Sequence, residues 1–456
     1  MTDRDEPAGG LRSRILSSVK LSSLQFASQI ALRLISTIVL TRLLAPEIYG
    51  VFAVVLLYRY LLEMFSDLGI RSVILTKEGD VDDTFLRTCW TVTVLRGVII
   101  LVISCLIALI IAELQRRGIF AEDNAYSAEV LPYAIAALGV VSLIAGLQTT
   151  NRYVYEREMR FGYVTAGMVL SNIVGLAATI ALALWLRSVW ALVFGAYVQW
   201  GVLTIFSYFA FKGTRMGWQL DRASLGVIIG RGKWIIGHSI LTAMAQAADR
   251  LVLGFIMTSA TFGFYFIARQ IVDIGLGFLN TVHAQMGLQV FTRIIGDPAE
   301  FKPKYYRYRL FFDALAGLGA GMGLVLAPAL VDLIFDDRYG PVAPFIQLLV
   351  FALLLIGAMV LREAFIAERK FREMTLLSLV ATAALWVGLL LAVWIDNITA
   401  ALLIIALYRL PEALILWWMA NKRGWLILWR EGQILAFFAL GIALGWTLLM
   451  TWEALT

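Results

Sequence analysis

Long apolar runs separated by short polar connections dominate the pattern of hydrophobic and polar positions along the chain. Three clear examples are VIILVISCLIALIIA (98–112), LLVFALLLIGAMV (348–360) and ILAFFALGIALGWTLLM (434–450). At a rise of about 1.5 Å per residue, helices of this length approach or reach the thickness of the hydrocarbon core of a bilayer. The pattern therefore predicts an all-α, polytopic membrane protein.

The apolar runs predict thirteen membrane helices, of which the last is an extra one at the C-terminus. Their expected bounds are 21–44, 50–70, 88–112, 131–150, 161–186, 189–211, 234–257, 261–284, 310–335, 342–361, 374–395, 398–419 and 433–451. The polar segment after the sixth helix divides the first twelve into two sets of six. Two longer connections, 212–233 and 285–309, are expected to form short amphipathic surface helices.

This arrangement predicts five parts of the chain around two six-helix lobes. They are a cytoplasmic N-terminal segment (1–20), a first lobe (21–211), a cytoplasmic linker (212–233), a second lobe (234–419) and a loop with the thirteenth helix (420–456). A weak internal repeat supports two lobes, because Arg59 and Glu63 in the second helix are echoed by Arg269 and Asp273 in the eighth.

The composition agrees with a membrane protein and explains the net charge of +6. The chain is 61% hydrophobic and 15% charged, whereas globular domains carry about 25% charged residues. With the N-terminus in the cytoplasm, 27 of the 38 Lys and Arg residues fall on cytoplasmic segments and 4 on the opposite side. Such a bias fixes membrane orientation. The basic charge therefore predicts a cytoplasmic N-terminus and no nucleic-acid partner.

Charged residues also occur inside the predicted membrane helices. Each costs about 2.5–3.5 kcal/mol at the bilayer centre, so it is expected to face a wet cavity or a partner. The basic ones are Arg33, Arg42, Arg59, Arg96, Arg250, Arg269 and Arg409, and the acidic ones are Glu63, Asp67, Asp249, Asp273 and Asp313.

Three of these arginines have a structural interpretation. Arg42 lies near a helix end, where it is expected to reach the interface or to pair with Glu47. Arg96 lies about a third of the way into its helix and is expected to snorkel towards the cytoplasm. Arg409 precedes Glu412, so a structural ion pair is expected there.

The other four arginines lie nearer mid-helix, on the first two helices of each predicted lobe. They are Arg33, Arg59, Arg250 and Arg269. We expect them to line a cationic cavity between the lobes. Guanidinium stays charged when buried and binds phosphate through two parallel hydrogen bonds. The cavity therefore predicts an anionic cargo, most naturally a phosphate or a pyrophosphate.

The acidic residues have two open interpretations. Glu63 and Asp273 follow Arg59 and Arg269 by four residues, so they are either ion-pair partners or groups that couple transport to a cation. Asp249 adjoins Arg250 about 100° around the helix, a poor pairing geometry, and is the preferred coupling candidate. Asp67 is expected to cap its helix rather than to touch cargo.

Two glycine-containing stretches bear on function. GVIIGRGKW (226–234) lacks the spacing of a P-loop and has Trp234 where a hydroxyl is required, so no nucleotide site is expected. GLGAGMGLVLAP (317–328) predicts either a hinge or close helix packing. The outer connections are short and leave no room for a catalytic domain, so neither an enzyme nor a metal or other cofactor is expected.

Three stretches carry a family resemblance. RLLAPEIYGVFAVVLLYRYLLEMFSDLGIRSVIL (42–75) resembles the N-terminal signature of bacterial polysaccharide and oligosaccharide flippases. LAPALVDLIFDDRYGPVAPFIQLLV (326–350) is similar to their C-terminal signature, and KWIIGHSILTAMAQAADRLVLG (233–254) resembles their seventh membrane helix. These flippases belong to the multidrug/oligosaccharidyl-lipid/polysaccharide (MOP) exporter superfamily. The extra thirteenth helix departs from their usual twelve or fourteen.

The resemblance implies two six-helix lobes around a central cavity in the bacterial inner membrane. It implies translocation of undecaprenyl-pyrophosphate-linked oligosaccharide repeat units by alternating access, for exopolysaccharide, O-antigen or capsule synthesis. The implied partners are this lipid-linked substrate, membrane lipids, and a polysaccharide polymerase with its chain-length regulator. The alternative is a cation-coupled drug or small-molecule exporter of the MATE type, whose cavity should be dominated by acidic and aromatic residues.

Overall fold

The computed structural model describes residues 28–294 and 298–454, and within these ranges the chain is helical with no β-strand. The helices up to residue 256 are α1 (residues 28–43), α2 (Pro46–Phe65), α3 (Ile70–Leu75), α4 (Asp83–Arg116), α5 (Leu131–Gly146), α6 (Asn151–Arg157), α7 (Phe161–Leu186), α8 (Val189–Ala210) and α9 (Arg222–Ile256).

Nine further α-helices follow within the described residues beyond residue 256. They are α10 (Ser259–Ile294), α11 (Pro298–Ile334), α12 (Val342–Leu349), α13 (Ile356–Ala367), α14 (Phe371–Trp394), α15 (Ile398–Leu407), α16 (Leu410–Lys422), α17 (Leu428–Glu431) and α18 (Gln433–Glu453). A 3₁₀ segment, Val350–Leu355, joins α12 to α13, so the three form one continuous rod.

Many of these helices are long enough to cross a membrane. Among the described residues, eleven helices are long and apolar enough to cross a membrane, and twelve if α5 and α6, bent by 60°, form one broken span. The predicted all-α, polytopic architecture is confirmed, and the thirteenth predicted helix is present as α18. The start of the first predicted helix, at residue 21, lies outside the described residues.

The chain forms two compact units, Met1–Ala260 and Thr261–Thr456. The predicted lobes divide at 212–233 instead, and that division stays a prediction. Helix α9 belongs to the first unit because its small residues Ala243 and Ala247 pack against Leu57 and Leu61 of α2. Two alanines four positions apart make a smooth face that a neighbouring helix can approach closely.

The prediction of separate surface helices in the longer connections is wrong. Asp221 caps α9 by accepting a hydrogen bond from the Ser224 amide at 2.7 Å, so residues 222–233 begin the long helix itself. Likewise α10 and α11 contain 36 and 37 residues and take up nearly all of segment 285–309. With a rise of about 1.5 Å per residue, these rods are longer than the thickness of a hydrocarbon core, which is about 30 Å.

The ends of α2 are set by local backbone chemistry. Pro46 stands in its first turn, where a missing amide hydrogen costs nothing. At the other end the Asp67 carboxylate accepts a hydrogen bond from the Gly69 amide at 2.9 Å, and Gly69 has a φ of +61° that favours glycine. Asp67 thus orders the turn that leads from α2 into α3, whereas its carboxylate, as a hydrogen-bond acceptor, does not satisfy the free carbonyls at the end of α2.

The loop between α4 and α5 is tied to the end of α9. The buried side-chain amide of Asn124 donates to the carbonyls of Phe255 at 2.8 Å and Met257 at 3.2 Å. The Ser259 amide donates to the Asp123 carbonyl at 2.7 Å. These bonds satisfy carbonyls that the end of a helix leaves without partners, so this loop and the turn after α9 hold each other in place.

Helices α11 and α18 pack backbone to backbone through glycines on both sides. A Cβ atom on Gly317 would lie 2.7 Å from the Cβ of Phe437, and one on Gly441 would lie 2.6 Å from the Leu318 carbonyl oxygen. Gly321 faces the same contact, with the Ile442 amide nitrogen 2.7 Å from a Cβ placed there. Small residues four positions apart allow this approach inside a membrane. Close packing thus explains Gly317 and Gly321.

A buried ionic cluster joins the same two parts of the chain. Arg309 of α11 is 1% exposed, and its Nε lies 2.9 Å from the Asp313 carboxylate while its Nη1 donates to Glu431 of α17. Asp313 also accepts a hydrogen bond from the side-chain amide of Gln433 at 2.6 Å. Removing one partner of a buried pair leaves an uncompensated charge, which costs roughly 3–5 kcal/mol. The cluster therefore fixes α18 against α11.

Pro328 interrupts α11 without leaving a carbonyl unsatisfied. Proline has no amide hydrogen, so the carbonyl of Leu324, four residues earlier, loses its helical partner. The Gln347 side chain of α12 donates to that Leu324 carbonyl at 2.8 Å. The side chain of a neighbouring helix thereby replaces the hydrogen bond that Pro328 cannot make, as the lack of water in a bilayer requires.

The glycine contact makes a prediction with a matched control on the same helix. Gly321→Ala should lower the thermal stability of the protein, because overpacking at a close contact costs about 1–3 kcal/mol. Gly319→Ala should leave the stability unchanged or slightly raised, since a Cβ there meets nothing within 4 Å. Unfolding temperatures of the two purified variants in one detergent measure the difference. Equal temperatures would refute close packing as the role of Gly321.

Candidate functional site

Arg59 and Glu63 form an ion pair inside the first unit. The Arg59 Nε donates to the Glu63 carboxylate at 2.8 Å, and the same carboxylate accepts a hydrogen bond from Ser142 of α5 at 3.2 Å. The guanidinium lies 5.1 Å from the ring centre of Trp200 on α8. Helix α2 supplies the pair and two neighbouring helices hold it, so both charges have a fixed position.

Most N–H donors of the Arg59 guanidinium have no hydrogen-bond acceptor among the described residues. Only its Nε is used in hydrogen bonding, so the four N–H groups on its two Nη atoms donate to none of the described residues. The side chain is 13% exposed. A guanidinium held on one edge and stacked on an indole ring presents its remaining donors in a defined plane, as bidentate phosphate binding requires.

Arg96 has hydrogen-bond partners on another helix. Its Nη2 donates to the carbonyl of Glu63 at 2.6 Å and its Nε to the Ser66 hydroxyl at 3.0 Å. The side chain thus reaches the C-terminal end of α2, where free carbonyls attract cations. The snorkelling stays a prediction, and the backbone partner on another helix leaves no mark in the sequence.

Arg250 and Asp249 lie on α9 beside α2. The Arg250 guanidinium donates to the Gln246 carbonyl at 2.9 Å and lies 5.5 Å from the ring centre of Tyr60. The Tyr60 hydroxyl donates to the Gln246 side chain at 3.1 Å. Asp249 is buried, and its carboxylate is 3.9 Å from the Arg250 Nε, at the limit of an ion pair. The structure thus places Arg250 next to the residue that follows Arg59.

Arg33 lies on α1 and is exposed. Its carbonyl accepts a hydrogen bond from the Thr37 hydroxyl at 2.9 Å. Of the four predicted cavity arginines, Arg33, Arg59 and Arg250 belong to the first unit and Arg269 to the second. Their convergence in one cavity remains a prediction.

Arg269 repeats the Arg59 arrangement in the second unit. Its Nε lies 2.9 Å from the Asp273 carboxylate, four residues later on α10, and both side chains are partly exposed. The two pairs suggested by the internal repeat are therefore both formed.

Glu412 pairs mainly with an arginine that the sequence placed in a loop. The Arg362 Nη1 donates to Glu412 at 2.6 Å, whereas Arg409 is 3.9 Å from that carboxylate. Arg409 donates instead to the Tyr408 hydroxyl at 2.9 Å. The expected Arg409 pair is thus the weaker of the two, because α13 brings Arg362 to the same carboxylate.

Similarities to known proteins agree with this architecture. A family model described as polysaccharide biosynthesis protein matches residues 39–344. The lipopolysaccharide biosynthesis protein WzxC of Escherichia coli (strain K12) is 23% identical over 347 residues, which cover 74% of this chain and 67% of that protein.

Two solved structures share the fold at low identity. The lipid II flippase MurJ in an inward closed conformation has a TM-score of 0.74 at 10% identity, covering 95% of this chain and 93% of its own. An inward-facing multidrug resistance MATE family transporter of the MOP superfamily has a TM-score of 0.62 at 14% identity, covering 89% and 94%. The predicted fold of that superfamily is confirmed.

Proposed function

The chain belongs to the polysaccharide biosynthesis protein family, and on that premise we propose that it flips lipid-linked oligosaccharides across a bacterial cytoplasmic membrane. The proposed cargo is an undecaprenyl-pyrophosphate-linked repeat unit, moved by alternating access with the N-terminus in the cytoplasm. This is a transport role without covalent chemistry on the sugar. A polymerase and a chain-length regulator would receive the flipped units.

The observation that carries the proposal is that Arg59 uses only its Nε donor in a hydrogen bond. A membrane helix holds this charge at a cost, fixes it through Nε, and leaves four N–H donors unengaged by the described residues. A pyrophosphate supplies oxygens in the geometry that such a fork binds. An oligosaccharide without the phosphate would give these donors only weak neutral acceptors.

The ion pair between Arg59 and Glu63 suits a site that must bind and then release an anionic cargo. In the empty protein Glu63 compensates the arginine, which lowers the cost of keeping the charge in the membrane. An arriving pyrophosphate takes over that compensation without displacing the stack on Trp200. Arg33, Arg250 and Arg269 are proposed to add to the same anion-attracting field, and the Arg269–Asp273 pair has the same i,i+4 design.

Asp249 is the proposed coupling carboxylate, with Glu63 and Asp273 as charge partners of their arginines. It is 5% exposed and only 3.9 Å from Arg250, so a change in its protonation alters the charge next to the cargo arginines. A bound proton or sodium ion would act through this contact.

Asp249→Asn should make transport independent of an imposed ion gradient, because the amide binds no proton and attracts no sodium. Uptake of lipid-linked oligosaccharide into inverted membrane vesicles, with and without a proton or sodium gradient, measures this. Asp273→Asn is the control and should keep the gradient response. A response in Asp249→Asn equal to that of the wild type would remove this residue from the coupling role.

The competing function is cation-coupled export of drugs or small molecules. The shared fold with a MATE transporter permits it. However, Glu63 and Asp273, which lie in the paired positions, are engaged by arginines at 2.8 and 2.9 Å. A cationic drug would meet guanidinium groups there. Raised drug resistance in cells that express the protein would favour this competing function.

A double-mutant comparison separates cargo binding from simple ion pairing at Arg59. Arg59→Ala should abolish delivery of the polysaccharide to the cell surface, and Glu63→Ala should reduce it less. If Arg59 served only to neutralise Glu63, removing both charges would restore export. We expect the Arg59→Ala, Glu63→Ala double variant to remain as inactive as Arg59→Ala, with a loss of about 100-fold or more from charge-assisted hydrogen bonds worth roughly 3 kcal/mol.

The control is Arg117→Ala, which removes an exposed arginine that also has an i,i+4 partner, Glu113. It should export normally. Membrane insertion and protein level, measured by immunoblot of the membrane fraction, must match the wild type in every variant. Recovery of export in the double variant would show that Arg59 has no role beyond pairing.

A further inference from the structure

Arg96 occupies an electrostatic situation unlike that of the other arginines of the candidate site. Its hydrogen bonds go to the Glu63 carbonyl and the Ser66 hydroxyl, both uncharged acceptors. Among the described residues no carboxylate forms an ion pair with it. Its positive charge is therefore solvated in part but not neutralised, and three of its five N–H groups donate to no described residue.

The space beside Arg96 is an apolar groove of about 470 Å³, here called the Arg96 groove. Its walls come from the end of α2, from α4, from the segment before α9 and from α9 itself. Its lining includes Ser66, Leu68, Leu95, Ile99, Leu220 and Ile236. Leu95, Ile99 and Leu220 are exposed, so the groove is open on its apolar side. Arg96 is thus the one charged residue in the lining of an otherwise apolar groove.

The depth of the groove in the membrane follows from the sequence. Arg96 lies eight residues, roughly 12 Å, inside the predicted membrane helix 88–112, and α4 continues beyond the start of that helix to Asp83. From this depth its long side chain reaches towards the headgroups, as arginine side chains do near a membrane surface. At this level the membrane itself supplies molecules that join a phosphate to apolar chains.

We propose that the Arg96 groove binds an anionic phospholipid of the surrounding leaflet. The phosphate accepts hydrogen bonds from the unused N–H groups of Arg96, and an acyl chain lies along Leu95 and Ile99. The lipid supplies the negative charge that the protein does not place beside Arg96. A phospholipid fits better than a soluble anion because the groove walls are apolar and open to the hydrocarbon.

The site is distinct from the proposed cargo site, although the two are linked. Arg96 bonds to the backbone of Glu63, whose carboxylate compensates Arg59. A lipid on Arg96 therefore stabilises the end of the helix that carries the ion pair. Loss of the lipid should loosen this end, which gives the membrane composition a route to influence the protein.

Binding of defined lipids to the purified full-length protein tests the proposal without any transport assay. Native mass spectrometry counts phosphatidylglycerol adducts over a titration, with a diacylglycerol that lacks the phosphate as the comparison. Wild type should bind phosphatidylglycerol about tenfold more tightly than Arg96→Gln, since a charge-assisted hydrogen bond is worth at least about 1.4 kcal/mol. Arg96→Lys should retain much of the binding.

The controls use the same helix and the same groove. Arg116→Gln removes an exposed arginine at the opposite end of α4 and should leave binding unchanged. Leu95→Trp fills the groove while keeping Arg96, so it should reduce binding even if Arg96→Gln does not fold.

Three results would overturn the proposal. The first is equal phosphatidylglycerol affinity in wild type and in both groove variants. The second is diacylglycerol binding as tight as that of phosphatidylglycerol, which would mean that the groove selects chains alone. The third is displacement of phosphatidylglycerol by equimolar undecaprenyl pyrophosphate, which would assign the groove to the cargo.

Discussion

The cost of holding an arginine in hydrocarbon shapes the parts of this protein that bear on function. Each such charge must be compensated, and the chain uses different solutions for different purposes. Arg309, next to the start of the predicted ninth membrane helix at residue 310, is completely enclosed with carboxylates on both sides, and it serves to hold α18. Arg59 is compensated through one edge only, which keeps its other donors available. On the proposed function, the number of partners around the guanidinium separates the structural Arg309 from the cargo-binding Arg59.

The same constraint explains the local backbone details. In a bilayer a carbonyl without a partner costs several kcal/mol, and at three places a side chain from another segment supplies the missing hydrogen bond. Gln347 repairs the break that Pro328 causes in α11, Asn124 satisfies the end of α9, and Arg96 satisfies the end of α2. These repairs fix neighbouring helices to one another within each unit and hold the Glu63 end of α2 in place.

The sequence predicted the local features of the protein well. Apolar run length predicted the membrane helices, including α18, and the i,i+4 spacing predicted the Arg59 and Arg269 pairs that the structure forms. Contacts between segments that are distant along the chain could not be predicted from the sequence. The Arg362 contact with Glu412, the Arg309 contact with Glu431 and the choice between hinge and packing at Gly321 all depend on which helices are neighbours. A single sequence carries no signal for that. The predicted cavity shared by Arg33, Arg59, Arg250 and Arg269 also depends on which helices are neighbours, so the sequence alone cannot establish it.

The central claim is that a guanidinium in the membrane recognises the phosphate part of a lipid-linked sugar. The most direct test is a flipping assay in liposomes that contain the purified protein and one of two cargoes. Both carry the same polyprenyl chain and oligosaccharide, joined by a pyrophosphate in one and by an uncharged linkage in the other. Appearance of the sugar at the opposite face is followed with a membrane-impermeant lectin. The account predicts that only the pyrophosphate cargo crosses at a protein-dependent rate, and equal rates for both cargoes would contradict it.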